Sequence, residues 1–255
     1  QNAIKGSAMK LDIQITGLKE IQAQLGTGAK QATYAASRAL TTAAYAINDR
    51  LKQDMASTFK GGATPYTLRA FKVIKADKAT LTAEVNLRTD APDGGTNYSK
   101  ALAHMFTGGQ RKYKKLEGWL RGRGILPAGL TIAPGAGMPL DGYGNMRRAA
   151  LTEMLGVIGT QLKNLRVYRR TGAGKAQKAV GYFVVKPGDK TNKHPGIYKR
   201  IETGATSGLS PMILFVSPAS YRKTVDLDRI AREVVAKTFQ PAFDAELARA
   251  LANAK

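Results

Sequence analysis

Residues 31–59 constrain the fold more than any other stretch. Ala32, Ala35, Ala36, Ala39, Leu40, Ala43, Ala46, Ile47, Leu51, Met55 and Phe59 recur at steps of three and four. That spacing puts them on one face of a helix. The face is mostly alanine, so another backbone can approach it closely. The pattern predicts a long amphipathic helix lying on a sheet, with part of its small-residue face available to a neighbouring subunit. Gly61 and Gly62 stop it, and Pro65 follows.

The other segments supply the sheet and a second layer. Leu11, Ile13 and Ile15 alternate with polar residues, as in a short strand. Leu18, Ile21 and Leu25 have helical spacing, which suggests a short helix over 17–28. Residues 68–75 and 81–87 read as a hairpin turning at Asp77 and Lys78, with Leu81, Ala83, Val85 and Leu87 on one face. Asn145 is placed to cap a helix over 146–165, whose stripe is Leu151, Met154, Leu155, Ile158, Leu162 and Leu165. Residues 182–186, 197–202 and 212–217 are three further strands. A closing helix is expected over 226–254, kinked near 237–240 because Pro241 removes a backbone donor. Strands and helices do not alternate regularly. The expected class is therefore α+β, an antiparallel sheet packed by a long N-terminal helix and a C-terminal helix.

Between these halves, residues 98–148 are rich in Gly, Pro, Lys and Arg and hold the only tryptophan, Trp119. We expect residues 9–255 to form one domain interrupted by a largely irregular basic arm over 98–145. Residues 1–8 read as a leader or tag remnant. The arm divides at Arg123. Its first part is the basic arm, and the Pro/Gly part from Leu126 to Tyr143 is an extended strap for a neighbouring subunit. Trp119, Leu126, Pro127, Pro134, Pro139 and Tyr143 are the candidate subunit contacts.

Charge narrows the partners. The chain of 255 residues has a net charge of +22, which repels itself unless something acidic screens it. The closing helix balances its charges, whereas the middle does not. Arg111, Lys112, Lys114, Lys115, Arg121 and Arg123 face only Glu117, and Arg169 and Arg170 lie in a second basic run. Arg147 and Arg148 begin a helix, against its dipole, where an external anion would meet them. Aromatic residues are interleaved, a pattern suited to tracking a phosphate backbone. The plain alternative is a solvated basic face against an acidic subunit. No recognition-helix signature is present, so any DNA contact would be to phosphate and independent of sequence.

Catalytic patterns are missing from the sequence. Cysteine is absent, which excludes disulfides and zinc–thiolate sites. His104 and His194 lack partners at metal-ligand spacing. The run 172–175, GAGK, fails as a phosphate loop, since Arg169 stands where the first glycine belongs and Ala176 follows the lysine. No apolar run approaches the about 18 residues of a spanning helix. We expect neither a cofactor nor a metal, and no enzymatic activity.

Several stretches together resemble the tail-completion (minor tail protein Z-like) family of long-tailed phages. They are TYAASRALTTAAYAINDRLKQDM, the pair GIYKRIETG and PMILFVSPASYRK, and DLDRIAREVVAKTFQPAFDAELARAL. The middle, HMFTGGQRKYKKLEGWLRGRGILPAGLTIAPG followed by PLDGYGNMRR, is similar to prophage proteins of that group. The resemblance covers most of residues 10–255 as pattern and rests on no single motif. It implies an α+β domain assembled as a homo-oligomeric ring, expected to be a hexamer, at the head–tail interface. Its partners would be the tail terminator or tail tube, the head connector and the packaged DNA, with no membrane. Its place would be the virion neck, and the host cytoplasm during assembly. The competing reading is a sequence-independent nucleic-acid-binding protein acting outside the virion.

Overall fold

The structure is a computed structural model and describes residues 10–14, 28–59, 61–90, 97–161, 180–203 and 206–253. The fold is α+β with antiparallel strand pairing, and long helices lie near both ends of the chain. The chain divides into two compact units, Gln1–Gly109 with Tyr221–Lys255, and Gln110–Ser220. This differs from the expected single domain with an arm over 98–145.

In the first unit, α1 (Ala29–Thr58) is the predicted long helix. Ala32, Ala35, Ala36, Ala39, Leu40, Ala43, Ile47, Leu51 and Met55 are all fully buried. Its end is written locally. The Ser57 and Thr58 hydroxyls donate back to Asp54 O at 3.0 and 2.7 Å, competing with the backbone ladder. One side of α1 covers a three-stranded sheet in the order β1–β3–β2, where β1 is Lys10–Gln14, β2 Phe71–Ile74 and β3 Thr82–Leu87. Ala83, Val85 and Leu87 alternate inward against Leu40, Ile47 and Leu51. The β2–β3 turn forms as expected around Asp77, whose carboxylate accepts from Ala79 N and Thr80 N at 2.7 and 2.6 Å. The expected strand start at 68 is instead a one-turn helix, α2 (Pro65–Leu68). Thr64 caps it and Pro65 presets its first turn, which local chemistry favours over an extended start.

The closing helix, named here α6 (Leu227–Ala252), begins at its cap Asp226 and runs on through Pro241 as one element. It lies antiparallel to α1: Arg38 meets Glu246 near one end, and Arg50 meets Glu233 farther along, each at 4.0 Å. Around the Arg38–Glu246 end, Ala35, Ala36 and Ala39 receive Phe243, with Phe239, Ala242 and Leu247 around it. The alanine face that was offered to another subunit is thus covered by the chain's own last helix. The expected helix over 17–28 and the leader 1–8 lie outside the described residues.

The irregular middle is corrected by three ordered elements. Helix α3 (Tyr98–Thr107), capped by Asn97, buries Tyr98, Leu102, Met105 and Phe106 in the first unit's core. The spacing is that of an amphipathic helix, so residues 98–107 belong to the core and not to an arm. Helix α4 (Lys115–Gly122) and β5 (Thr131–Pro134) lie in the second unit. The remaining strands are β4 (Gly109–Gln110), β6 (Val180–Val185), β7 (Gly196–Thr203), β8 (Thr206–Val216) and β9 (Ser220–Tyr221), with β4 paired to β9.

The second unit is a four-stranded antiparallel sheet in the order β5–β8–β7–β6. Its register shifts between Ile197 and Tyr198, beside Pro211, a residue that cannot donate to a ladder. Helix α5 (Arg148–Gln161) lays Met154 and Ile158 on Tyr182, Ile197, Ile213 and Phe215. It starts later than the expected 146, and Asn145 is not its cap. Asn145 N and Tyr143 N both donate to Asp141 at 2.8 and 2.9 Å, while Met146 pairs with Leu140. The Asp141 carboxylate out-competes the helix for that backbone. The expected end of this helix beyond 161 lies outside the described residues.

Candidate nucleic-acid interface

The second unit carries 19 Lys and Arg against five Asp and Glu, a net of +14; the first carries 21 against 13, a net of +8. Within 110–140 the one acidic residue is Glu117, and it is fully buried. The exposed charge of this stretch is therefore all positive, and it lies within 111–123.

Glu117 organises the stretch. Its Oε1 accepts from the Arg111 guanidinium at 2.5 Å and from Ile132 N at 2.9 Å, and its Oε2 accepts from Lys114 N at 2.7 Å. One carboxylate thus ties together the turn before α4, the first turn of α4 and strand β5. Burial works against the ionised form. The hydrogen bonds from Ile132 N, Lys114 N and Arg111 outweigh it and hold the carboxyl below the usual glutamate range.

The predicted basic residues then separate by environment. The side chain of Arg111 is only 13% exposed and faces inward to Glu117, so it is a structural cation and not a surface one. Lys112, Lys114 and Lys115 are exposed. Arg121 is half-buried, donates to Leu130 O at 2.7 Å and lies 3.5 Å from the centre of the Tyr113 ring. Arg123 is exposed and lies 3.8 Å from the Trp119 ring centre. Both distances are those of cation–π stacks. Arg147 is held by its own loop, its Nε donating to Leu140 O at 3.1 Å and its backbone N to Pro139 O at 2.9 Å. Arg148 opens α5 and is exposed. Arg169 and Arg170 lie outside the described residues, as does the run 172–175.

Of the predicted strap residues, Leu126 is buried, Trp119 and Pro127 are half-buried, and Pro134, Pro139 and Tyr143 are exposed. Leu126 is buried with Leu120 and Ile125 in the second unit's core, and Trp119 packs on the same cluster. Pro134 ends β5 opposite Ile213. The strap therefore folds onto its own sheet as an edge strand, because its apolar residues find a core within their own unit. Gly135 makes the approach possible: a Cβ there would fall 2.3 Å from Pro211 O. Pro127 is half-buried, and Pro139 and Tyr143 remain exposed on the loop built around Asp141.

Two features, one on α4 and one just before it, were not singled out as site residues. At 100° per residue, Glu117 and Leu120 face inward, whereas Lys115, Gly118 and Gly122 form the outer ridge. All three ridge residues are exposed. Each glycine costs a helix about 0.8–1 kcal/mol relative to alanine. Neither has a positive φ, and a Cβ at either would meet nothing within 4 Å. The fold of this chain thus gives no reason for them. The second feature is Tyr113, 49% exposed, with Arg121 on its ring. The sequence signal for both was present: glycines four apart on the polar side of a helix, and a tyrosine flanked by lysines.

Other chemistry is sparse. A cleft of about 550 Å³ in the first unit is lined by Lys30, Tyr34, Arg38, Glu246 and Arg249, without histidine or a carboxylate pair. Tyr182 donates to Glu153 at 3.2 Å, and burial, with Glu153 beside it, pushes the phenol well above its ordinary value. Among the described residues no group of three or more His, Asp or Glu is placed to hold a metal ion, and no helix is long and apolar enough to cross a membrane.

No family model, curated protein or solved structure matches this chain.

Proposed function

We propose that the chain is a structural virion protein of a tailed phage. It assembles as a homo-oligomeric ring at the head–tail interface, completes the tail and joins it to the head. The observation that carries this reading is the one-signed face over 110–140, whose one carboxylate is buried and paired inside. Such a face suits a position beside packaged DNA, whose phosphates screen it. In a ring, the cations of successive subunits add, so a polyanion in the channel offsets the self-repulsion of every copy. The resemblance to the tail-completion family supports the same position.

Its partners are further copies of itself, the tail terminator or tail tube, the head connector, and the DNA backbone without regard to sequence. Catalysis has no part in this role. Imaging of purified particles tests it directly. A ring of this chain between head and tail is the expected result. Absence from particles, together with tight binding of the isolated protein to naked DNA, overturns it in favour of a nucleic-acid-binding protein acting outside the virion.

A further inference from the structure

We infer that the outer ridge of α4, with the stacks Tyr113–Arg121 and Trp119–Arg123 on its flanks, is a binding surface for single-stranded nucleic acid. The inference rests on reading this face as phosphate-facing and not on the ring.

Charge alone does not separate a single strand from a duplex, because both present phosphates. The aromatic groups do. In a duplex the base faces are stacked on one another, and only an unpaired base can lay its face on a side-chain ring. Tyr113 is half exposed although one side of its ring holds Arg121. Arg121 is itself anchored to Leu130 O, so the tyrosine sits on a fixed support and loses little freedom on binding. Trp119 has a similar support in Arg123. Its indole is half-buried against the unit's core, which fixes its orientation further.

The two stacks lie on opposite flanks of a helix about 10–12 Å across. Between them, Gly118 and Gly122 bare the helix backbone, with open space where side chains would stand. A sugar–phosphate chain can lie directly on that ridge, with Lys112, Lys114 and Lys115 beside it. This accounts for two exposed helical glycines that the packing does not explain. No other part of 110–140 combines an exposed aromatic ring, a bare helix backbone and cations without an exposed carboxylate.

The full chain reports on this site through its one tryptophan, Trp119. It is titrated with an oligothymidine of about 20 nucleotides and with a duplex of equal length, at one salt concentration. The expected result is quenching of Trp119 fluorescence by the single strand and an affinity at least about tenfold above that for the duplex. Tyr113→Leu, which keeps the bulk and removes the ring, is expected to cut single-strand affinity about tenfold and leave duplex affinity unchanged. Circular dichroism of that variant should match the parent. Lys114→Glu with Lys115→Glu is expected to weaken both complexes alike. Equal affinity for the two forms without quenching overturns the inference, as does a Tyr113→Leu protein, folded as the parent, that binds the single strand undiminished. Either failure leaves the ring to be decided by particle imaging, and absence of the ring leaves this titration unaffected.

Discussion

The two units handle charge in opposite ways. In the first, cations meet carboxylates on its own helices: Arg50 with Asp54 and Glu233, Lys52 with Asp49, Arg229 with Glu233, and Arg249 with Glu246. Its helices are solvated on one side and packed on alanines on the other. In the second, the Glu117 carboxylate is withdrawn into the interior, and among the described residues the exposed Lys112, Lys114, Lys115 and Arg123 form no ion pair. The first unit pairs many of its surface cations within itself, whereas in the second the stretch 110–140 exposes cations and no carboxylate. The same amino-acid types therefore do different work: arginine is a surface partner on α6, an interior tie at Arg111, and a support for an aromatic ring at Arg121 and Arg123.

The contrast can be broken most sharply at Glu117. Glu117→Ala leaves the Arg111 guanidinium without its partner and strands Ile132 N and Lys114 N. The expected cost is about 3–5 kcal/mol. Hydrogen exchange should locate the loss in 111–135 and leave α1 protected. Equal loss in both units would show that the carboxylate does not organise the second unit by itself.

Acid probes the same group more gently. Its folded-state pKa is depressed, so the stability it contributes is fully present above the ordinary glutamate value of 4.5. That contribution is lost as the pH falls through the lower folded value. Protection of 111–135 should decline below about pH 4.5, and Glu117→Gln should flatten the dependence there. A profile unchanged by Glu117→Gln assigns the acid sensitivity to other carboxylates.

In the first unit the matching test is steric. Ala39 is fully buried among Ala35, Ala36 and Phe243. Ala39→Leu is expected to cost about 1–3 kcal/mol by overpacking the α1–α6 seam, read as a lower midpoint in a denaturant titration. A neutral result would mean that α6 does not clamp α1 closely.

The smallest effect is expected where charges are balanced at the surface. Arg229→Ala removes an exposed pair with Glu233, 55% and 40% accessible, and should leave the melting temperature within about 2 °C. Raising salt sharpens the comparison. Screening shortens the range of repulsion to about 10 Å at 0.1 M and to about 3 Å at 1 M, so protection should rise more in the second unit than in the first.

Legibility followed the range of the forces involved. The long helix, the β2–β3 turn at Asp77 and the closing helix from about Asp226 were readable because each is settled by neighbours within a few residues. The stretch 98–145 misled because glycine and proline there were read as marks of irregularity. Gly135 instead permits β5 to lie against Pro211, and Asn97 starts a helix that the composition had hidden. Of the basic residues, Lys112, Lys114 and Lys115 lie exposed, whereas Arg111 turns inward. Nothing local distinguishes an arginine that reaches a buried carboxylate six residues on.

The sequence by itself determined the α+β class, the alanine face of α1, the concentration of positive charge in the middle, and the absence of any cysteine chemistry. Periodicity and composition suffice for these, since they depend on residue type and spacing alone. Only the tertiary structure decided which cations face outward, what covers the alanine face, and that the strap completes its own sheet. Those outcomes turn on long-range pairing, of Glu117 with Ile132, Ala39 with Phe243, and Pro134 with Ile213. No local pattern encodes such pairings, because each is fixed only when the whole unit closes around it.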